Sequence, residues 1–268
     1  MGLPQTIKNK PNETSSSPSL TVIAKKDDVY SFSQERKDKY HFRLNGTQVL
    51  YFGADIEIMK TILDSLKIEY KLQIVSEDEI KPMLSSGEAD IALGVEKTDL
   101  IKNVADFPKT PLRSKYYFFY GRSQEAKSTI MTYKNALAHN YTVGILVGYL
   151  YPQSFWEAFP YENLVLNSHI VEERDYEDHI KKLKQKKIDL FVGDKDLVRM
   201  AIQKLEASGD VYQYKNILYW KDFYSAFSKK SKFKNLDTAK EQIKKSLYNM
   251  QERGQLKEIN DFWVEQKK

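Results

Sequence analysis

A seven-residue pattern occurs twice in this chain, and it restricts the fold more than any other feature. Glu88-Ala89-Asp90-Ile91-Ala92-Leu93-Gly94 is matched by Lys187-Ile188-Asp189-Leu190-Phe191-Val192-Gly193. Each copy follows a polar helix end, sets Asp before three apolar residues and stops at Gly. A short apolar run bounded in this way reads as a buried strand. The frame around it also repeats: Gly53 to Gly94 spans 41 residues and Gly148 to Gly193 spans 45. The expectation is two α/β halves of similar build.

The remaining periodicities fit that plan. Leu20–Ala24 and Tyr70–Val75 read as strands, and Ile56, Met59, Ile62, Leu63 and Leu66 as a helix face behind Asp55, a good N-cap residue. Ile80, Met83 and Leu84 give a short helix ending near Gly87. In the second half, Thr142–Val147 is a strand closed by Gly148, Gln153–Phe159 a helix and Leu164–Leu166 a strand. Tyr176, Ile180 and Leu183 mark a further helix. The aromatic runs Tyr116–Tyr120, Ile217–Trp220 and Phe223–Phe227 lack helical period and favour strands. Ala239, Ile243, Leu247 and Met250 form one helical stripe, ended by Gly254, and Leu256, Ile259, Phe262 and Trp263 a second. The tail packs back on the first half, so the chain crosses between halves near Tyr120–Ser123 and near Ile217–Lys221.

Composition narrows the function. At 268 residues the length suits one large domain or two. Apolar residues at 41% suffice for real cores, and no run reaches the roughly 18–20 apolar residues that span a bilayer. The polar stretch 1–18 reads as a flexible leader carrying a sequon at Asn12-Glu13-Thr14. The net charge of +5 comes mostly from Lys interleaved with Asp and Glu, a solvated surface and not a nucleic-acid face. The absence of Cys excludes disulfides, thiolate metal sites and a thiol nucleophile. His41, His139, His169 and His179 lack metal-ligand spacing, and no phosphate loop, dinucleotide fingerprint or nucleophile elbow is present. No metal or cofactor is expected.

In open α/β sheets a ligand binds beyond the carboxyl ends of the strands. Those ends place Asp27 and Tyr30, Gly94 with Glu96, Gly148 with Tyr149 and Tyr151, and Gly193 with Asp194 at a candidate site. A strand-end glycine serves either a turn or close approach of a ligand. Asp194, with Asp196, also stands where the helix from Leu197 needs an N-cap, and it can alternatively pair with a ligand ammonium. The tyrosines serve either as core or as stacking faces.

From Ser19 to Trp263 the chain resembles the family 3 extracellular solute-binding proteins, type II periplasmic receptors that mostly serve polar amino-acid ABC transporters. The likeness lies in Gly53-Ala54-Asp55-Ile56-Glu57-Ile58-Met59, Leu84-Ser85-Ser86-Gly87-Glu88-Ala89-Asp90-Ile91-Ala92, Val143-Gly144-Ile145-Leu146-Val147-Gly148, Ile188-Asp189 through Asp194, and the Arg253-Gly254 turn. The resemblance implies an α/β, two-lobe Venus-flytrap fold with two hinge crossovers. Lobe 1 is then 19–121 plus 222–268, and lobe 2 is 122–221. It implies a monomeric, periplasmic or otherwise extracytoplasmic protein, not an enzyme. Such a protein captures a small-molecule ligand for an ABC transporter permease and meets the membrane only through that permease or an anchor. A receptor sensor domain and a cyclohexadienyl dehydratase-like enzyme are the alternatives.

By resemblance, Asp194 is the carboxylate that holds a ligand α-ammonium, and Asp27 and Tyr30 touch the ligand side chain. The carboxylate-clamp arginine of the family falls at Ile101, its hydroxyl donor at Glu96, its Ser-Thr pair at Tyr149-Leu150 and its stacking aromatic at Glu77. A site walled by Glu77, Glu96, Asp27 and Asp194 without arginine repels a carboxylate; Lys97, Lys102 and Arg113 are candidate substitutes, but none occupies the matching position. The expectation is therefore either a cationic or aromatic amino-acid-like ligand or a site that no longer binds free amino acids.

Overall fold

A computed structural model describes residues 19–27, 29–36, 48–122 and 124–266; the leader expected over 1–18 lies outside them. The first half runs β1 (Leu20–Lys25), β2 (Phe32–Arg36), β3 (Gln48–Phe52), α1 (Ala54–Ser65), β4 (Tyr70–Val75), α2 (Glu77–Ser86), β5 (Ile91–Glu96), α3 (Asp99–Lys102) and β6 (Ala105–Asp106). The long strand β7 (Arg113–Gly121) leads into the second half. There follow α4 (Tyr133–Ala138), β8 (Val143–Leu146), α5 (Gln153–Ala158), β9 (Ile170–Glu173), α6 (Tyr176–Lys184), β10 (Leu190–Asp194), α7 (Lys195–Lys204) and β11 (Tyr212–Gln213). The chain returns through β12 (Tyr219–Ser228) to α8 (Leu236–Glu252) and α9 (Gln255–Gln266).

The main sheet has the order β4-β1-β5-β12-β7-β10-β8-β9, with β6 beside β12 and β11 beside β7. Read from its two ends, this order is the same motif twice. β4, β1 and β5 are parallel and meet antiparallel β12, while β9, β8 and β10 are parallel and meet antiparallel β7. The twinned sequence segments become β5 and β10, the equivalent strands. Their aspartates do the same work. The Asp90 N–H donates to the Thr21 carbonyl (2.9 Å) while its carboxylate accepts from the Thr21 N–H (2.7 Å). The Asp189 N–H donates to the Thr142 carbonyl (2.9 Å) and its carboxylate accepts from the Thr142 N–H (2.9 Å). Each aspartate thus clasps the start of the neighbouring parallel strand.

Helices cover both faces in each half. In the first, α1, α8 and α9 pack on Leu20, Val22, Ile91 and Leu93, and α2 on Ile23 and Ala92. In the second, Tyr133 and Phe155 of α4 and α5 pack on Phe119, Val143 and Leu190, and α6 and α7 on Phe118, Tyr120 and Phe191. A smaller cluster joins the halves: Leu197 and Met200 of α7 lie against Val29, Tyr30, Ala54, Ile259, Trp263 and Val264.

Several expectations shift. The aromatic runs form β7 and β12, which pair with one another over Arg113–Tyr117 and Tyr219–Phe223. β7 changes partner to β10 at Tyr117, and β12 to β5 at Phe223, so the crossing lies within the strands. The strand expected at Leu164–Leu166 is a turn: Asn163 and Leu164 have φ of 52° and 66°, and the strand comes later as β9. The cap of α1 is Gly53, not Asp55, which lies inside the first turn with its carboxylate buried. Gly53 has φ 117°, and an added Cβ would stand 2.4 Å from the Tyr30 carbonyl carbon. Gly53→Ala should therefore destabilise the protein by about 1–3 kcal/mol or more, from strain and clash together. Chemical denaturation against wild type measures this, and an unchanged midpoint contradicts it.

Candidate functional site

The paired strands β7 and β12 form a floor between the halves, and strand alternation decides what stands on it. Arg113, Lys115 and Tyr117 share one face of β7, and in register across them lie Phe223, Lys221 and Tyr219. Three cross-strand pairs result: Arg113 with Phe223, Lys115 with Lys221, and Tyr117 with Tyr219. Two lysines placed opposite one another repel, so each needs a counter-charge. Lys115 Nζ meets Asp27 Oδ2 at 3.2 Å and Lys221 Nζ meets Glu96 Oε1 at 3.4 Å.

Arg113 is the most enclosed of the cations. Its Nε and Nη2 donate to the two Asp55 oxygens at 3.0 and 3.1 Å, and its Nη2 lies 4.0 Å from Asp27 Oδ2. The guanidinium is sandwiched between the rings of Tyr30 and Phe223, with its carbon 3.7 and 4.3 Å from their centroids. Burial opposes the charge, but Asp55 and Asp27 outweigh it and hold the Arg113 pKa above its ordinary value. Gly94 clears the space for this pair. A Cβ there would stand 2.7 Å from Asp55 Oδ2 and 3.3 Å from Arg113 Nη2. The close approach foreseen for Gly94 is thus made by the protein's own ion pair.

Asp27 and Tyr30 come from one turn, closed by reciprocal 2.8 Å bonds between the Asp27 and Ser31 backbones. The Asp55 N–H donates to the Tyr30 carbonyl at 3.0 Å, which ties this turn to the start of α1. Burial alone would raise the Asp27 pKa, but Lys115, Arg113 and the Val29 N–H hold it below its ordinary value. Its contribution to stability is therefore present above the unfolded value near 3.8 and is lost as pH falls through the lower folded value.

Asp194 enters from the second half. Its Oδ1 caps α7, accepting from the Asp196 and Leu197 N–H groups at 3.0 and 2.8 Å. Its Oδ2 is buried with no hydrogen-bond partner, and no cation among the described residues lies within 4.0 Å. Burial raises its pKa, while Lys115 and the two capping bonds offset part of that rise. Tyr149 meets the Tyr117 hydroxyl through its own, and its ring lies 4.6 Å beneath Lys221 Nζ. Tyr117 stacks on Tyr219 at 4.4 Å, and the Tyr219 hydroxyl is buried without a partner. A cleft of about 350 Å³ opens beside the cluster, between Tyr30, Arg113 and Tyr116, the α7 residues Lys195 and Asp196, and Asn260 of α9.

The structure thus brings Asp27, Tyr30, Gly94, Glu96, Tyr149 and Asp194 to one place. It puts Glu77 apart from them, three-quarters exposed and bonded to Lys25 at 2.7 Å. The acids foreseen as an unbalanced wall are matched by cations, except Asp194. Ile101 packs at the edge of the α2-side core, and arginine enters the site from the floor instead. Sequence reasoning raised Arg113 only as one of three substitutes for the clamp arginine, and it missed Asp55, taken for a cap, and the alternating Lys115, Tyr117 and Tyr219, Lys221, Phe223 hidden in the aromatic runs.

Two outcomes follow from these environments. Arg113→Met leaves Asp55 buried without its partner and should cost about 3–5 kcal/mol in denaturant melts, whereas a merely superficial pair would cost under about 1. For Asp194, the native state holds its proton to higher pH than the unfolded chain. The stability of wild type relative to Asp194→Asn, which keeps a capping side chain, should therefore shrink as pH rises from 3.8 through the raised value. A pH series of melts for both proteins reads this, and parallel curves contradict it.

Comparison with known proteins agrees with this architecture. Among curated proteins none matches this chain in sequence. Among solved structures, it is similar to an amino acid ABC transporter substrate-binding protein from Streptococcus pneumoniae bound to L-arginine. That match has 23% identity, covers 93% of this chain and 95% of that one, and has a TM-score of 0.55. An ancestral cationic amino acid solute-binding protein gives 19% identity, 92% and 95% coverage and a TM-score of 0.61. A histidine kinase sensor domain with similarity to periplasmic binding proteins gives 15%, 91% and 95%, and 0.56. The fold is the type II periplasmic binding protein fold, with β7 and β12 as its crossing strands. The model of the bacterial extracellular solute-binding proteins, family 3, matches residues 33–266, and the chain belongs to that family.

Proposed function

We propose that this protein captures a small polar, amino-acid-like ligand between two hinged lobes, outside the cytoplasm, and delivers it to an ABC transporter permease. The lobes are 19–121 with 222–268, and 122–221. The observation that carries the reading is a pair of buried atoms, on groups of opposite charge, that have no hydrogen-bond partner among the described residues: Asp194 Oδ2 and Arg113 Nη1. A buried charged atom without a partner is costly in isolation, and a zwitterion offers the ammonium and the carboxylate that complement these two. Arg113 then does from the floor what the family's clamp arginine would do from the position of Ile101. Tyr149 and Tyr219, both partly buried around the core residue Tyr117, supply apolar surface for the rest of the ligand. Two of the similar structures are amino-acid binders by description, which favours an amino acid over other polar solutes.

Catalysis is not needed for this role: ligand contacts to both lobes favour the closed form, and closure is the signal a transporter reads. Titration calorimetry with the twenty amino acids should find at least one ligand. Asp194→Asn should weaken it by at least about 30-fold, which is what removing a buried charged partner costs at the low end of about 2 kcal/mol. No heat and no melting shift with any of the twenty would defeat the reading.

A further inference from the structure

We propose that Lys115 is a built-in cation that occupies the place of a ligand's positively charged side chain and restricts the site to amino acids with uncharged side chains. This rests on the reading above, in which the ligand ammonium goes to Asp194.

Lys115 is 8% exposed, held inward by its position between Arg113 and Tyr117 on the floor face of β7. Its ammonium meets Asp27 and lies 4.8 Å from the Tyr30 ring centroid and 5.5 Å from that of Phe223. A carboxylate with aromatic faces is the kind of environment that recognises an ammonium or guanidinium. Asp27 and Tyr30 are also the residues expected to meet the ligand side chain. The protein has filled that subsite with its own lysine.

Local pairing of the charges, more than their sum, points the same way. Arg113, Lys115 and Lys221 are matched by Asp55, Asp27 and Glu96, three cations against three carboxylates. Asp194 is the remaining acid, and it accounts for one ammonium. A second positive charge on the ligand would find its acceptors engaged and would face Lys115 at close range. A negative side chain would find Lys115 and Lys221 already paired with Asp27 and Glu96. An uncharged side chain meets neither obstacle and can lie against the partly buried Tyr149 and Tyr219.

Calorimetry on wild type, Lys115→Met and Lys115→Arg decides this, with L-lysine and L-arginine set against L-glutamine, L-phenylalanine and the other neutral amino acids. Wild type should bind its best neutral amino acid at least tenfold more tightly than L-lysine or L-arginine. Lys115→Met frees Asp27 and should gain at least tenfold for one of the cationic ligands, while Lys115→Arg, which keeps the charge, should not. The proposal is overturned if wild type binds L-lysine or L-arginine as tightly as any neutral amino acid, or if a folded Lys115→Met gains nothing. Should that variant fail to fold, the selectivity of wild type decides alone. Binding of neutral and cationic amino acids alike removes only the role of Lys115, whereas silence toward all twenty removes the reading of the site with it.

Discussion

The bidentate pair between Arg113 and Asp55 is the constraint around which the centre of the molecule is arranged. A guanidinium and a carboxylate taken from water together are tolerable only with good geometry and further compensation. Here both oxygens of Asp55 are used, two aromatic rings cover the guanidinium faces, and Asp27 adds a second carboxylate. The neighbouring residues follow from this. Gly94 must lack a side chain so that the pair fits, and Gly53 must take positive φ so that α1 begins against the turn bearing Tyr30. The first turn of α1, the Asp27–Ser31 turn and strand β7 are thereby fixed to one another.

Against that fixed frame, the site reads as a distribution of charge. The floor cations are paired with acids of the first half, and the second half contributes a buried carboxylate that is satisfied on one side only. Oδ1 of Asp194 serves its helix, and Oδ2 has no hydrogen-bond partner among the described residues. The division of labour between the two oxygens reconciles the two roles read for this residue from sequence, cap and ligand acceptor. They are compatible because a carboxylate has two ends.

Much of the fold was legible because it rests on local rules: apolar period, glycine stops and the doubled Asp-led strand. The errors have physical causes. Leu164 is apolar but sits exposed in a left-handed turn, so hydrophobicity there carried no strand signal. Asp55 obeys the composition of a helix start while its carboxylate answers to Arg113, a residue 58 positions away. The site was legible as a grouping of positions, Asp27, Tyr30 and Asp194, which resemblance supplied. It was illegible where a side chain's neighbour depends on cross-strand register. That Arg113 and Lys115 would face inward was written in their alternation with Tyr117, but only pairing with β12 shows what they meet.

The twin clasps at Asp90 and Asp189 bear on how such a molecule can move and survive. Each fastens two strands belonging to the same half, and neither reaches across the middle. These clasps are therefore private to each half, and what joins the halves is a separate set of contacts, the β7–β12 ladder and the cluster around Leu197 and Met200. The seams that keep each half from unravelling are thus sewn apart from the waist that joins the two.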